Sequence, residues 1–432
     1  MAHWRFLSGL SSGSKPNGSS GATTVASPSV EARIVSVDVL RGLTVAGMLL
    51  VNNPGDPDNV FAPLKHSVWN GCTFADFVFP FFLFLVGITT NLSLSRRLSD
   101  SRSDRTFAVE FRAIAKRAAI IFAFGLFLNA YPFFEKTAIA GPPWLPAFFG
   151  HIAARLEMLR LTGVLQRIAI AYLAASLVAW KGSSRRVAAV ATALLLGYWA
   201  ALTLIHVPGE NAIGAELLNE PARTLPAWFD RTMLDWTRWD LGWHMWDRAV
   251  PYDPEGLLST LPAIATVLLG VLAGRWLQSA RAIGTRLQML GYAGAAALLI
   301  GLWWSVVFPV NKPLWTSSYV MVTAGAACVS LAIVGWWVDV KQWRRWTTVF
   351  LVFGTNPILA YVGGELLANI LRSSIKFKFD GRRMSSGMTM VRGLEAIGVD
   401  SRVASLVWAL SFVLLCYVLL VPLYRRRIFV KV

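Results

Sequence analysis

Apolar runs of about twenty residues recur ten times along this chain. A run of that length crosses the roughly 30 Å hydrocarbon core of a bilayer as a helix, because a helix satisfies its own backbone hydrogen bonds there. The composition agrees, since charged residues make up 15% of the 432 positions, against roughly 25% in soluble domains. The sequence therefore predicts an all-α polytopic membrane protein, a bundle of about ten transmembrane helices. The predicted segments are 36–53, 74–94, 113–131, 163–180, 187–206, 257–274, 287–309, 317–338, 347–371 and 403–423.

Basic residues predict how these helices are oriented, because short cytoplasmic loops are enriched in lysine and arginine. The segment 207–256 carries nine acids against four arginines, which fits the outer side. Both termini are therefore predicted to be cytoplasmic, which leaves the long basic loop 372–402 outside as a disagreement. The net charge of +17 is interpreted as topology and attraction to anionic lipid, so no nucleic-acid partner is expected. The basic loops that follow the even-numbered segments are 96–117, 181–186, 275–286, 341–345 and 425–427.

Two regions stand apart from the ten segments. Residues 1–32 are rich in serine and glycine and contain no apolar stretch long enough for a signal peptide, so they are predicted to be a flexible tail before a single transmembrane domain, 33–432. The aromatic stretch 131–152 leaves room for a re-entrant piece. The three cysteines follow no metal-ligand spacing, so neither a metal site nor a disulfide framework is expected.

Polar side chains inside the apolar segments indicate a site. Such groups are costly in a membrane and are seldom left without a partner. They come from different helices but share a similar predicted depth in the outer half of the bundle, as in a site assembled between helices. These residues are Asn52, Asn53, His66, Asp76, Gln166, Arg167, Asn311, Lys312, Asn356 and Glu365.

The stretch "KHSVWNGCTFADFVFPFF", residues 65–82, holds the first candidates for chemistry. A neutral imidazole at His66 is able to take a proton from an amine or to accept an acyl group, and Asp76 is able to hold its tautomer if the loop folds back. The alternatives are structural. His66 is also consistent with an ordinary interfacial histidine, and Asp76, three residues after Thr73, with a capping-box-like helix start.

Arginines provide the next candidates. Arg167 lies far inside an apolar segment and requires either an ion pair, with Asp76 or Glu365, or an anionic ligand. Arg41, Arg344 and Arg345 lie at the predicted cytoplasmic end. They serve as orientation signals and as groups that attract a phosphorylated ligand.

Two other patterns favour structural roles. In "YDPEGLL", Asp253, Pro254 and Glu255 are typical of a helix that starts at Pro254, with function as the less favoured alternative. Aromatic residues at predicted segment ends, such as Trp69, Trp315 and Tyr319, are expected in the membrane-interface belt.

Six stretches together resemble one family. They are "SVDVLRGLTVAGMLLVNN", "KHSVWNGCTFADFVFPFFLFLVGI", "GVLQRIAIAYL", "YDPEGLLSTLPAIATVLLGVLAG", "NKPLWTSSYV" and "GTNPILAYVG". In this order they resemble heparan-alpha-glucosaminide N-acetyltransferase and its bacterial relatives. The resemblance covers nearly everything from residue 34 to the C-terminus.

The resemblance implies an enzyme that takes acetyl-CoA from the cytosol and acetylates a glucosamine amine on the opposite side of the membrane. The family's essential histidine corresponds to His66, and two further catalytic positions correspond to Asn52 and Asp76. Our predicted acetyl-CoA contacts are Arg41, Arg167, Asn356, Arg344 and Arg345. We leave open whether His66 is acetylated in passing or only deprotonates the amine.

The short N-terminal tail departs from the lysosomal enzyme, which carries a lumenal domain and a further helix before this region. We therefore expect a bacterial cytoplasmic (inner) membrane protein, with a periplasmic amino sugar or glycan as acceptor and membrane lipid around it. The oligomeric state stays open, a homodimer being one option. The alternative function is a secondary transporter of a sugar or anionic metabolite, against which the lack of an inverted repeat in the sequence argues.

Overall fold

The protein is described from a computed structural model, which covers residues 34–99, 106–131, 159–235, 244–245 and 252–430. The predicted tail 1–32, and all but the first residue of the aromatic stretch 131–152, lie outside the described residues. The helices are α1 (Val35–Asn52), α2 (Phe74–Ser99), α3 (Phe107–Ala130), α4 (Val164–Ala179), α5 (Ser184–Leu204), α6 (Gly214–Leu217), α7 (Leu225–Leu234), α8 (Thr260–Leu277), α9 (Ile283–Trp304), α10 (Ser317–Gly335), α11 (Thr347–Thr355), α12 (Pro357–Asn369), α13 (Ser386–Ala396) and α14 (Ser401–Arg425). Short 3-10 turns occur at Ala62–Leu64 and Pro221–Arg223, and π-helical turns follow α10 at Trp336–Val340 and α12 at Ile370–Ser374.

The predicted all-α membrane architecture is confirmed. Among the described residues, seven helices are long and apolar enough to cross a membrane: α1, α2, α5, α8, α9, α10 and α14. The pair formed by α11 and α12 counts as an eighth. Helices α3 and α4 match the other two predicted segments, but α4 has only sixteen residues, so the number of ten crossings stays a prediction.

The ninth predicted segment, 347–371, is not one helix. It is divided into α11 and α12, which are bent by 86° at Asn356. The backbone of Asn356 has φ −127° and ψ 54°, outside the helical region. Pro357 explains the break, because proline disfavours the helical conformation in the residue before it and is well suited to the first position of a new helix.

Glycines allow the helices to approach closely, as is common between membrane helices. A Cβ on Gly87 of α2 would lie 2.0 Å from the carbonyl oxygen of Val267 in α8. A Cβ on Gly42 of α1 would lie 1.8 Å from the carbonyl oxygen of Phe350 in α11, and one on Gly354 would lie 2.0 Å from that of Asp38. The α2–α8 and α1–α11 pairs therefore touch backbone to backbone.

Burial separates the central helices from the peripheral ones. In the most apolar window of α8, 72% of the residues are buried, whereas the corresponding share is 22% in both α9 and α14. The weakly buried helices carry exposed leucines, valines and tryptophans. Since apolar surface is suited to lipid, α9 and α14 form the periphery of the bundle and α8 forms its centre.

The predicted loop 372–402 is folded. Strands β1 (Lys376–Phe379) and β2 (Arg382–Ser385) form an antiparallel hairpin in which Lys378 pairs with Arg383, and α13 follows directly. Its basic residues therefore belong to a folded element and not to a short connecting loop.

One end of the bundle is defined by the start of α1. The backbone N–H groups of Val35 and Ser36 donate to the two carboxylate oxygens of Asp339, at 3.1 and 3.2 Å. This carboxylate satisfies N–H groups that would lack a helical partner and complements the positive end of the helix. The start of α1 and the segment that precedes α11 therefore lie at the same end.

Candidate active site

His66 and Asp76 meet at the start of α2. The imidazole Nδ1 lies 2.7 Å from Asp76 Oδ1, with 43% of the His66 side chain exposed and none of the Asp76 side chain. The intervening loop is closed by the Ser67 backbone N–H, which donates to Asp76 Oδ2 at 3.1 Å, and by the Thr73 hydroxyl, which donates to the Lys65 carbonyl at 2.8 Å. A carboxylate at Nδ1 favours the tautomer that carries its proton there and leaves Nε2 as the acceptor.

Asp76 also performs the structural duty that its position in the sequence predicts. The backbone N–H of Thr73 donates to Asp76 Oδ2 at 3.0 Å, and the Thr73 hydroxyl lies 3.2 Å from the same oxygen. These contacts are one half of a capping box. The carboxylate therefore both starts the helix and holds His66, since each of its oxygens serves one of the two tasks.

Lys312 is the third member of this cluster. Its Nζ lies 3.3 Å from Asp76 Oδ1, 3.1 Å from His66 Nδ1 and 3.5 Å from His66 Nε2. Burial lowers the pKa of the Lys312 ammonium below its usual range. The structure thus brings together Lys312, His66 and Asp76, three of the polar residues expected at a similar depth.

The turn that carries Lys312 is held by Asn311. The Asn311 side-chain oxygen accepts the Leu314 backbone N–H at 2.8 Å, and its amide donates to Asn70 Oδ1 at 3.1 Å. Asn70 belongs to the stretch that contains His66. The same side chain therefore shapes the Lys312 turn and joins it to the His66 loop.

Asn52 contacts a different carboxylate. At the end of α1, its amide donates to Glu365 Oε1 in α12 at 3.3 Å. The next residue, Asn53, accepts a hydrogen bond from Arg372 at 3.2 Å. The described contacts of Asn52 thus join it to α12, whereas those of His66 join it to Asp76 and Lys312.

Arg167 is almost completely buried, with 1% of its surface exposed. Its Nη2 donates to Ser259 Oγ at 2.5 Å and to the Gly256 carbonyl at 3.3 Å. Of the two alternatives for Arg167, the ion pair with Asp76 or Glu365 is wrong, because the guanidinium is directed toward the segment before α8. Its Nε and Nη1 have no hydrogen-bond partner among the described residues.

Trp315 packs on this arginine and corrects another expectation. Its ring centroid lies 4.9 Å from the Arg167 guanidinium carbon, and its indole N–H donates to Thr266 at 3.2 Å. Trp315 and Tyr319 are fully buried, so they do not belong to the interface belt. The reason is the turn after α9, which carries Trp315 inward with a φ of +51°, unusual for a residue other than glycine.

The "YDPEGLL" stretch is not the start of a helix. Helix α8 begins at Thr260, and Asp253 starts only an isolated turn, in which the Gly256 N–H donates to the Asp253 carbonyl at 3.0 Å. The Asp253 carboxylate accepts the Glu255 backbone N–H at 2.9 Å and pairs with Arg160 at 2.6 Å. Glu255 pairs with Arg160 at 2.5 Å.

Sequence reasoning missed Arg160. It lies just before a predicted helix, in a position with no periodic signal, and its carboxylate partners are more than ninety residues away. The Asn129 side chain at the end of α3 donates to its backbone carbonyl at 2.8 Å. A second missed group is Asp230 in α7. Burial and the charge of Asp253 raise its pKa to about 7.

A small cavity of about 50 Å³ lies between α1, α2, α3, α4 and α12. Its lining runs from Arg41 to Met48 in α1 and from Phe82 to Thr89 in α2, about 10 Å along each helix at roughly 1.5 Å per residue. The walls are mostly apolar and include the rings of Tyr172 and Tyr361. Asp76 precedes Phe82 by six residues of the same helix, about 9 Å of rise.

Two arginines line the cavity. Arg117 lies 4.9 Å from the centroid of the Tyr172 ring, and its buried Nε has no hydrogen-bond partner within the described part of the chain. Arg41 pairs with Asp38 at 2.6 Å and donates through Nε to the Gly354 carbonyl at 2.8 Å. Arg117 was missed as a candidate because it lies among seven basic residues of a predicted inner loop.

The remaining predicted acetyl-CoA contacts do not line this cavity. Arg344 and Arg345 are exposed, at the end of the bundle where α1 begins. Asn356 donates to the Ile428 carbonyl at 3.0 Å and accepts the Val430 backbone N–H at 2.8 Å. Its expected place among the outer polar residues is wrong, because the bend shortens α11 and leaves Asn356 beside the C-terminal segment.

These features define a class: an α-helical multi-pass membrane protein with a histidine–carboxylate–lysine cluster above an arginine-lined cavity. Comparison with known proteins gives the family. The family model for the catalytic region of heparan-alpha-glucosaminide N-acetyltransferase matches residues 33–306. The chain belongs to this family, as the sequence resemblance predicted.

Two curated relatives extend the match. Human heparan-alpha-glucosaminide N-acetyltransferase is 29% identical over 447 residues, and the mouse protein is 29% identical over 445. Both alignments include 93% of this chain and 60% of the relative. The chain therefore spans about three fifths of the length of the relatives that it matches.

Proposed function

We propose that this protein transfers an acetyl group from cytoplasmic acetyl-CoA to the amine of a glucosamine-type sugar on the extracytoplasmic side of a membrane. One observation carries the proposal: a half-exposed histidine is paired at 2.7 Å with a fully buried carboxylate. Family membership and the names of the curated relatives support the same activity.

The chemistry is assigned to His66 Nε2. The acceptor reacts as a neutral amine, whose nitrogen attacks the thioester carbonyl and forms the amide bond as the carbon–sulfur bond breaks. Nε2 takes the proton that the amine nitrogen loses and returns it to the departing thiolate, so the products are the acetamide and free CoA. The Asp76 carboxylate holds the ring in the required tautomer. An acetyl-histidine route, with Nε2 as nucleophile, remains the second option.

The cavity supports a donor site. Arg41 and Arg117 supply positive charge for the phosphates of acetyl-CoA, and Arg344 and Arg345 attract it to the same end. The apolar walls suit a thin, uncharged pantetheine arm. Since Phe82 and Asp76 are separated by about 9 Å in α2, an extended arm brings the thioester toward His66. Arg167 and Asn52 are the proposed groups that polarise its carbonyl.

The proposal also includes the acceptor and the membrane in which the protein lies. We assign a periplasmic amino sugar or glycan fragment as acceptor and a bacterial inner membrane as location. The exposed side of His66 is the surface that such an acceptor would meet. A homodimer stays a prediction for the purified protein.

The test uses purified protein with radiolabelled acetyl-CoA and a panel of amino sugars, with their N-acetylated forms as blanks. Transfer to a free amine that is lost in His66→Ala supports the enzyme. His206→Ala is the matched control, because this histidine is also exposed. Release of free CoA and labelled acetate without acetylated sugar, or transfer unaffected by His66→Ala, would contradict the assignment.

One feature favours the alternative of a secondary transporter. The break between α11 and α12 resembles the discontinuous helices that form transporter binding sites. Uptake of a sugar into proteoliposomes, without release of CoA, would support that function over acetyl transfer.

A further inference from the structure

We propose that Lys312 is a positioning residue for His66: its ammonium offsets the charge of Asp76, so that the carboxylate orients the imidazole without holding a proton on its second nitrogen. The inference rests on the proposed function for its purpose, but its physical content is independent of acetyl transfer. No role for Lys312 follows from the family match alone.

A histidine base next to a buried carboxylate faces a conflict. The carboxylate aligns the ring, but its negative charge also stabilises the imidazolium, which is unable to accept the proton of an amine. Asp76 has no exposed side-chain surface and touches Nδ1, so water screens this attraction poorly. For the imidazole to stay neutral, a second and positive charge must oppose the effect of the carboxylate.

Lys312 is placed to provide that charge. Its Nζ is within 3.5 Å of both ring nitrogens and 3.3 Å from the same Asp76 oxygen that His66 contacts. With Nδ1–H directed at Asp76, the ammonium does not need a hydrogen bond to the ring. It acts through the electrostatic potential that it produces at the imidazole and through its ion pair with the Asp76 carboxylate.

Other charges around the cluster do not replace Lys312. Glu255 and Arg167 have opposite signs and act on Lys312 from the segment before α8 and from α4. On the His66 loop itself, Lys65 is exposed, where water screens its charge. Cys72 is also near Asp76, and burial raises the pKa of its thiol, so it is uncharged at neutral pH.

The consequence for the reaction concerns both proton transfers. An imidazolium formed beside Lys312 is a stronger acid than one formed beside Asp76 alone. It therefore gives its proton readily to the departing thiolate. The same lysine makes His66 available as a base before the reaction and as an acid after it.

The experiment measures His66 directly. Neutral imidazole reacts with diethyl pyrocarbonate and imidazolium does not, so the rate of modification of the His66 peptide between pH 5 and 9, followed by mass spectrometry, gives the pH of half-maximal reactivity. Coulomb's law with the dielectric constant of water, about 80, already gives an effect of about one pH unit at this separation. Lys312→Met is therefore expected to raise this midpoint by about one pH unit or more.

Three comparisons make the result specific. Lys312→Arg keeps the charge, so the midpoint is expected to stay close to the wild-type value. Lys65→Met removes a nearby charge that water screens, so the midpoint is expected to change little. The exposed His206 reports reagent quality in the same digest. If Lys312→Met does not fold, Lys312→Gln repeats the measurement. A midpoint that is the same with and without the lysine charge overturns the inference.

Activity provides the second readout. If the proposed function holds, acetyl transfer by Lys312→Met falls about tenfold relative to wild type at pH 6, one pH unit being a factor of ten, and approaches wild type at pH 8.5. A structural defect would lower both values alike. A shifted midpoint in a protein that acetylates no amine would refute the enzyme while the charge coupling stands.

Discussion

The Asp76 carboxylate is fully buried and touches the imidazole of His66, a half-exposed side chain ten residues earlier in the chain. Helix α2 and the backbone N–H groups of Ser67 and Thr73 fix the carboxylate, whereas 43% of the His66 side chain is exposed and its Nε2 lies 3.5 Å from Lys312 Nζ.

Replacing Asp76 with asparagine tests this orientation. The amide is able to keep the backbone contacts but donates to Nδ1, which moves the ring proton to Nε2 and removes the base. We expect kcat for acetyl transfer to fall about 10²- to 10⁴-fold, as in other histidine–carboxylate pairs. Thr73→Ala is the control, because it removes the hydroxyl contacts to Asp76 at the helix start and to the Lys65 carbonyl in the loop but not the hydrogen bond between Asp76 and His66. A similar loss of kcat in both variants would indicate that only the helix start and the loop closure matter.

Replacing Arg117 with methionine tests the cavity. Its guanidinium lines the cavity and has an unpartnered buried Nε, so a bound phosphate would gain a charge-assisted hydrogen bond. We expect the KM for acetyl-CoA to rise about tenfold or more, consistent with roughly 1.5–3 kcal/mol for such a bond, while the KM for the acceptor stays constant. Arg112→Met, on an exposed position of the same helix, is the control. Equal effects of the two changes on acetyl-CoA would argue against this donor site.

Asp230 predicts a pH dependence of stability. Its folded pKa of about 7 exceeds the unfolded value of about 3.9, so the folded state binds more protons between these values. Stability contributed by the protonated group is lost as the pH rises from about 4 toward 7. We expect Asp230→Asn, which keeps an acceptor for the Leu257 N–H, to have a higher melting temperature than wild type at pH 8. Thermal unfolding in detergent from pH 4 to 8 would show this advantage shrink toward pH 4, and a constant difference would contradict the assignment.

Gly87 predicts the cost of separating α2 from α8. A methyl group there would lie 2.0 Å from the backbone oxygen of Val267. This clash is with backbone and not with a flexible side chain, so it is relieved only if the two helices move apart. We expect Gly87→Ala to lower the unfolding free energy by about 1–3 kcal/mol. Gly363→Ala is the matched control, because a Cβ there meets nothing within 4 Å and alanine favours the helix. The measurement is thermal unfolding of both variants in the same detergent.

The helices could be predicted because apolar length alone defines them, and every predicted segment coincides with helical structure. The break at Asn356 also had a local signal, Pro357, which the length of the apolar run obscured. Partnerships across the bundle had no local signal. Arg167 was correctly expected to need partners, yet Ser259 and Gly256 lie about ninety residues away, and spacing does not indicate which of several carboxylates or carbonyls an arginine meets.

The site was predictable only where its residues are close together in the sequence. His66 and Asp76 lie on one loop and one helix start, so their meeting required only that the loop close. Lys312 comes from a turn 246 residues further on, and its contact depends on how Asn311 joins Asn70. The burial of Trp315 likewise follows from that turn and not from its position at the end of an apolar run.

Arg41 has a consequence for mutagenesis. The non-helical backbone of Asn356 ends the hydrogen-bond ladder of α11, and Arg41 supplies donors to the Gly354 carbonyl near this end. Its guanidinium thus ties the end of α11 to α1. An alanine at this position would remove the tie between these two helices, and the resulting loss of activity would mimic weakened nucleotide binding. Scanning experiments should therefore separate the two causes by measuring melting behaviour alongside affinity.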